Sequence, residues 1–341
     1  MLATAYRMNR PLVSVVVPTC GRLLLLARCL DALYAQTLPA SCYEVIVIDD
    51  SPDGMKAAGV AACCEQARER GLPLRCLRNP GQHGQRGPAA ARNLGWRAAR
   101  AAWVGFTDDD TIAQPDWLER ACAAFTSGGD EGAPDALRGR VQVPLQARPT
   151  DYERDAARLQ DAGFVTANCF CRRAMLLRVG GFDERFRAAW REDTDLYFRL
   201  CDAGARVACA DDAVVLHPVR PGGWSVSLAQ QRKILFDALL YKKHRQRYRQ
   251  QIRHAPRWDY YLNALALAAA GAGLLAGTPA WAAAGASAWL LSSGVFFARR
   301  LRGTSRAPVA VGGLLVTSLL IPPLAVFWRA VGALRFRVAL L

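Results

Sequence analysis

The sequence predicts an α/β fold, an open and mostly parallel sheet flanked by helices, followed by C-terminal transmembrane helices. Three observations carry that reading. Buried-type strands and helices alternate over the first 110 residues, the pattern of an open α/β sheet. Acidic residues cluster where the strands end, and ligands of such sheets bind outside the carboxyl ends of strands. From about Tyr260 onward, long stretches carry almost no charge.

Val13-Ser-Val-Val-Val17 is a short β-branched run ended by Pro18, and it reads as a buried strand. Leu26, Leu30 and Leu33 share one face of a helix over Leu23 to Tyr34. Glu44-Val-Ile-Val-Ile-Asp49 is a second buried strand, ending in Asp49-Asp50. Together they form a βαβ unit of ordinary length, which implies parallel strands and a right-handed crossover. Met55 to Arg70 reads as a helix stopped by Gly71, and Leu74 to Leu77 as a weak third strand. Asn79 to Gly87 is a loop rich in Gly and Gln. A helix over Pro88 to Arg100 follows, with Pro in its first turn. Trp103 to Thr107 is a strand that runs directly into Asp108-Asp109-Asp110. Gly128 to Pro134 is a polar loop. Leu137 to Val143 and Phe164 to Cys171 are further strands, and Asp193 to Ala203 is an amphipathic helix. Arg206 to Cys209 and Val214 to Leu216 read as two short strands, the second ending at His217.

The tail differs. Tyr260 to Gly277, Pro279 to Ala298 and Pro308 to Trp328 are each about long enough to cross a bilayer. The turn at Gly277-Thr278-Pro279 is uncharged, while Lys242 to Arg257 and Arg299 to Arg306 are basic. The positive-inside rule then makes the first two spans a hairpin with both ends in the cytoplasm. Pro322-Pro323 breaks the third span near its end, and Arg329, Arg335 and Arg337 follow. A full crossing would place those arginines outside, a re-entrant or interfacial segment would keep them inside, and the sequence leaves both open. The domain organisation is residues 1–225 an α/β domain, 226–259 a basic juxtamembrane helical segment, and 260–341 a membrane region with two or three hydrophobic spans.

The chain has 341 residues and a formal net charge of +15, much of it beside the apolar stretches. That placement suits an anionic membrane edge. No helix-turn-helix, zinc-finger or aromatic-basic RNA motif supports a nucleic-acid partner. Eleven cysteines are scattered without a CxxC pair, mostly among Ala, Val and Leu, where a free thiol packs as a small hydrophobe. A reducing compartment follows. The apolar run after Arg7 and Arg10 is too short for a secretory signal. These features place the chain at the cytoplasmic (inner) membrane, with its α/β domain facing the cytoplasm.

The triple acid at a strand end carries the chemistry. Asp108 and Asp110 can hold one hard divalent cation, Mg²⁺ or Mn²⁺, between them and a diphosphate. Taken alone, such a cluster is more often a solvated turn; here it directly follows a buried strand.

Six short motifs in order give the chain a family resemblance. Val13-Ser-Val-Val-Val-Pro-Thr19, Val45-Ile-Val-Ile-Asp-Asp-Ser51, Ala91-Arg-Asn-Leu-Gly95, Phe106 to Asp110, Val179-Gly-Gly-Phe-Asp-Glu184 and Glu192-Asp-Thr-Asp-Leu196 resemble the motifs of family 2 glycosyltransferases. The match runs from about Pro11 to His217. It implies the GT-A nucleotide-diphospho-sugar transferase fold and a metal-dependent, inverting glycosyltransferase. By the resemblance, Pro18, Thr19, Asp49 and Asp50 hold base and ribose. Asp108 and Asp110 are the DxD pair, with Asp109 sharing either task. Arg92 contacts donor phosphate or pairs with a nearby Asp. Asp193 is the general base, with Glu192 in support. His217 reaches the metal or diphosphate, and Gly180, Gly181 and Asn168 shape the acceptor side. The implied partners are a UDP-, GDP- or TDP-sugar donor, a lipid-linked or glycan acceptor, and the membrane. Cys20-Gly21-Arg22 stands where many members have Tyr-Asn-Arg, so an aromatic that could stack on the base is missing. Rival readings fit less well. A nucleotidylyltransferase needs a Gly-rich loop after the first strand, and an NAD enzyme needs GxGxxG after Val17; Gly81, Gly84 and Gly87 follow only a weak strand. A scaffold with a decayed transferase domain would have no reason to keep both acidic motifs intact.

Overall fold

The computed structural model describes residues 10–81, 86–125 and 132–339. Arg7, Gly84 and the first part of the loop from Gly128 lie outside the described residues. Two compact units emerge. One comprises the chain up to Pro144 together with Arg158–Pro218; the other comprises Leu145–Ala157 and the chain from Val219 onward.

The first unit is built on eight strands: β1 Val13–Thr19, β2 Tyr43–Asp49, β3 Leu74–Arg78, β4 Trp103–Phe106, β5 Ile112–Ala113, β6 Ala136–Gln142, β7 Cys169–Arg172 and β8 Val207–Leu216. Their order in the sheet is β3-β2-β1-β4-β7-β6-β8-β5. The first four are parallel. β7 runs antiparallel to β4 and β6, and β5 antiparallel to β8, while β6 and β8 are parallel. Every residue of β1 and β2 is buried, which is why both read as continuous apolar runs rather than alternating ones.

β1 continues through Pro18 rather than ending before it. Val16 O accepts from Thr107 N and Thr19 O accepts from Asp50 N. Alternation therefore aims the Pro18 backbone toward β4, which has already ended at Phe106. The missing N–H costs no ladder bond. The helix Pro88–Ala98 lies on this sheet, and its approach depends on Gly95. A Cβ there would come within 2.3 Å of Val16 Cγ1.

The two short strands expected after Arg206 are one bulged strand. Pairing steps from Gly139–Ala210 to Arg140–Val214, so Asp211, Asp212 and Ala213 bulge out of the ladder. Asn168 braces this point. Its amide donates to Arg140 O at 2.9 Å and Ala213 O at 2.8 Å, and accepts from Trp117 Nε1 at 2.9 Å.

The second unit is helical. Trp258–Leu275 and Pro279–Leu301 pair through small residues: a Cβ on Gly273 would come 2.5 Å from Ala282 N, and one on Gly285 2.5 Å from Ala270 N. Close backbone approach of this kind is typical of helices packed in lipid. Pro279–Leu301 (23 residues) and Pro308–Phe336 (29 residues) are long and apolar enough to cross a membrane by length and composition. The expected first span is less apolar, because Asp259 and Asn263 stand near the start of Trp258–Leu275. Asn263 Nδ2 is held by Ser292 Oγ at 2.8 Å and Ser293 Oγ at 2.9 Å. The last helix does not break at Pro322-Pro323 but runs on to Phe336. Two lost N–H donors cost less than exposing a whole turn of backbone in apolar surroundings.

Candidate active site

The carboxyl ends of β1, β2, β4 and β8 bring most of the expected residues to one side of the sheet. β4 delivers Asp108, and the chain then turns. Thr111 closes the turn, its N–H and hydroxyl both donating to Asp108 O, at 3.2 and 2.7 Å. The two-residue strand β5 follows and pairs Ile112 with Leu216. That pairing carries Asp110 to the end of β8, where His217 stands. His217 N donates to Gln142 O at 2.8 Å, which extends the β6–β8 ladder and fixes the position.

Asp108, Asp110 and His217 each offer a ligand atom, and these atoms lie within 4.8 Å of one another. His217 Nε2 is 3.5 Å from Asp110 Oδ1. Two carboxylates and an imidazole at this spacing fit a divalent cation such as Mn²⁺ or Mg²⁺.

Asp109 points elsewhere. It is fully buried; Oδ2 accepts from Thr19 Oγ1 at 2.7 Å and Arg22 Nε at 3.0 Å, and Oδ1 pairs with Arg22 Nη2. Burial pushes its carboxyl above the usual range despite Arg22. Asp109 and Thr19 therefore hold the β1 loop to the β4 turn. Arg22 is the residue that sequence reasoning missed. Gly21, at φ +73°, lets the chain turn back to aim it. Cys20-Gly21-Arg22 shows only a turn signal, with no indication of this partner.

Arg92 is the hub of the site. Only 2% exposed, it donates to Asp108 Oδ1 at 2.7 Å and to Glu192 Oε1 at 2.9 Å. Of the two roles weighed for it, the structure provides the pairing with an Asp. Burial alone would raise the Asp108 carboxyl, but Arg92, with His217 and Arg22, holds it below its ordinary value. Glu192 goes the other way. Burial and then the Asp193 charge push it up to about 7, against the pull of Arg92. Asp193 is also raised by burial, opposed first by the Thr194 N–H bond of 2.6 Å. Both stand in the first turn of Glu192–Asp202, where the helix dipole favours anions.

At the β2 end, Asp49 is buried and accepts from Ser51 N at 2.9 Å, capping the following turn. Asp50 accepts from Asn79 Nδ2 at 2.7 Å and Gly87 N at 2.8 Å. Burial raises its carboxyl, opposed first by that Gly87 bond. Pro18 is buried beside them at the end of β1. Gly180 and Gly181 both have positive φ, and Gly181 lies against Asn93, whose Nδ2 donates to Phe182 O at 2.9 Å and Glu184 Oε1 at 2.7 Å. Asn168, expected to shape the acceptor side, is instead fully buried in the sheet brace.

Comparison with known proteins identifies the family. The model for "Glycosyl transferase family 2" matches residues 14–186, just over half of the chain, and that for "Glycosyl transferase family group 2" matches residues 150–330. The chain is 29% identical to the glycosyltransferase AglE of Haloferax volcanii, over 62% of this chain and 69% of that protein. It is 28% identical to validoxylamine A glucosyltransferase of Streptomyces hygroscopicus (56% of this chain, 51% of that one). It is likewise 28% identical to the succinoglycan biosynthesis protein ExoO of Rhizobium meliloti (53% and 54%). The chain thus spans about half the length of these two. Among solved structures, mannosyltransferase PcManGT from Pyrobaculum calidifontis, in complex with GDP-Man and Mn²⁺, shares the fold. Its TM-score is 0.56 at 20% identity, covering 96% of this chain and 94% of that one.

Proposed function

The chain belongs to glycosyl transferase family 2 and is a transferase, and from that premise we propose that it moves a sugar from a nucleotide-diphosphate sugar to a hydroxyl of a membrane-associated glycan or lipid, with inversion. The observation that carries this reading is one connected acidic site. The Asp108, Asp110 and His217 ligand atoms converge, and buried Arg92 links Asp108 to the Glu192-Asp193 pair.

Asp108, Asp110 and His217 would hold the divalent cation. When bound, that ion would offset the negative charge of the leaving diphosphate. The protein's own groups do the rest. Asp193 takes the proton from the acceptor hydroxyl as its oxygen bonds to the anomeric carbon and the bond to the diphosphate breaks. Glu192 is a poorer base because it is 3% exposed and one of its oxygens is committed to Arg92. Its raised carboxyl helps keep the half-buried Asp193 ionised, since two adjacent carboxylates resist sharing full charge. A single carboxylate base, with no second one as nucleophile, gives one displacement and hence inversion. Asp49, Asp50, Pro18 and Thr19 line the nucleoside end. Thr19 and Asp109 act there through the strut they form with Arg22.

The tail anchors the enzyme in the cytoplasmic membrane. The helices Trp258–Leu275 and Pro279–Leu301 form a hairpin with Arg257, Arg299 and Arg302 at one end and an uncharged turn at the other. That asymmetry puts the basic end, and the α/β unit, in the cytoplasm. Trp258 and Trp281, both well exposed, stand at opposite ends of the hairpin, where interfacial aromatics sit. Nucleotide sugars are also found on that side.

The deciding experiment is a transfer and binding screen of UDP-, GDP- and TDP-sugars with Mn²⁺ or Mg²⁺. The GDP-Man and Mn²⁺ of the similar mannosyltransferase are the first pair to try. Saturable, metal-dependent binding of one donor class is expected. Absence of binding to all of them would overturn the assignment.

A further inference from the structure

The last helix, Pro308–Phe336, passes for a membrane span by length and composition. Its contacts point to a different course. Arg300, at the end of Pro279–Leu301, donates to Thr317 Oγ1 at 3.0 Å and Ser318 Oγ at 2.9 Å, and pairs with Asp151 at 2.8 Å. Ser318 therefore lies at the basic end of the hairpin. Eleven residues on, about 16 Å along the helix, Arg329 Nη2 lies 3.8 Å from Asp237 Oδ2, which also accepts from Tyr248 Oη at 3.3 Å. Beyond that point, Gly332 packs so closely that a Cβ would come 2.5 Å from Leu235 O, and Lys242 Nζ donates to Phe336 O at 2.8 Å. The distal half of the last helix is thus seated along the helix Leu235–Lys243.

That neighbour runs directly into Lys242, Lys243, Arg245, Arg247 and Arg249. Ten residues after Arg247 the chain reaches Arg257, the N-cap of Trp258–Leu275, at the basic end of the hairpin. Were Ser318–Phe336 to cross the bilayer, these five cations would be carried to the far face. The chain would then have to return within ten residues, several of them in short helical turns. Charges at that depth are rare and confined to polar interiors. No such transit is needed if Ser318 and Arg329 sit on the same face and the helix runs across the base of the hairpin.

The exposed surface of the helix is apolar up to Arg335 near its end. Val309, Val316, Leu320, Phe327 and Leu334 are all exposed. They follow one another at steps of seven and four residues, which return to one side of a helix. The ridge is about 37 Å long, while Ser318, Ile321, Ala325, Arg329 and Gly332 are buried on the other side. An apolar ridge flanked by cations is the surface of a helix lying in a membrane interface.

We propose that Pro308–Phe336 does not cross the membrane but lies in its plane, at the basic face. There its Val309–Leu334 ridge sinks into the acyl boundary of an anionic leaflet, and both of its ends stay on the cytoplasmic side. This rests on the hairpin reading above, and the test separates the two. Single cysteines are added to the full native chain at Thr278→Cys and Val338→Cys and exposed to an impermeant maleimide on intact cells. The native cysteines all precede Ala210, so they share one compartment and set the background. Thr278→Cys should gain a label, and Val338→Cys should gain one only in inverted vesicles. External labelling of both would overturn the in-plane helix and leave the hairpin standing. Failure of Thr278→Cys to label from outside would overturn the hairpin, and the in-plane helix with it.

Discussion

Replacing Arg92 with Met keeps most of the side-chain volume and removes the guanidinium that holds the site together. Two charge-assisted bonds vanish, to Asp108 at 2.7 Å and to Glu192 at 2.9 Å. Such bonds contribute about 1.5–3 kcal/mol each. Removing one partner of a buried pair typically costs about 3–5 kcal/mol, because the other charge is left stranded. The expected loss is therefore about 3–5 kcal/mol near pH 8. The pH dependence follows from Glu192. Its folded value, about 7 with Arg92 present, already exceeds the ordinary 4.5, and losing Arg92 raises it further. A folded group with a raised value holds a proton that the unfolded chain releases. Stability is then highest below the unfolded value and falls as pH rises through the folded one, by at most about 1.4 kcal/mol per pH unit. Arg92→Met should accordingly lose more stability at pH 8 than at pH 6. Adding Glu192→Gln to it should recover part of the loss and flatten the slope. Urea unfolding of the detergent-solubilised chain at pH 6, 7 and 8 reads both effects. An Arg92→Met variant within about 1 kcal/mol of the parent, with the same slope, would refute the hub.

Other substitutions separate the roles within the site. Asp193→Asn should leave donor affinity nearly unchanged and lower turnover by about 10²-fold or more, as a lost general base does; a loss of only a few-fold at saturating acceptor would reassign it as a helix cap. Asp109→Asn should cost about 1–3 kcal/mol of stability, since it weakens its bonds to Arg22 and Thr19, with metal affinity changed little. A large loss of metal affinity at unchanged stability would make it a ligand after all. Gly181→Ala should destabilise, since φ is +69° and a Cβ would come 2.5 Å from Asn93 Oδ1; an unchanged melting temperature would count against that packing.

How much of this could be read in advance depends on how local its cause is. β1 and β2 were legible because both faces of a central parallel strand are apolar, and the run from Trp103 into Asp108 marked a strand end. A strand within Phe164 to Cys171 was legible, but its start at Cys169 and its antiparallel place between β4 and β6 were not, because non-local pairing sets them. Asp211-Asp212 looked like a break between two strands, yet Asn168 holds the bulge that absorbs them. Within the triple acid, the sequence singles out Asp108 and Asp110 as the pair but leaves Asp109 to share either task. The turn closed by Thr111, the tiny strand β5 and the bend at Gly21 decide that Asp110 meets His217 while Asp109 meets Arg22. Two residues of strand carry too little periodicity to be seen beforehand. In the tail, composition predicted apolar helices but not the contacts that Arg300 and Arg329 make.

The central claim is that Asp108, Asp110 and His217 form the metal site through which donor is held, and titration calorimetry tests it most directly. The donor from the nucleotide-sugar screen is titrated into the parent and into Asp110→Asn, with Mn²⁺ and with chelator. The parent should bind strongly only with Mn²⁺, and Asp110→Asn should bind weakly and independently of metal. Equal, metal-dependent affinity in the two proteins would contradict it.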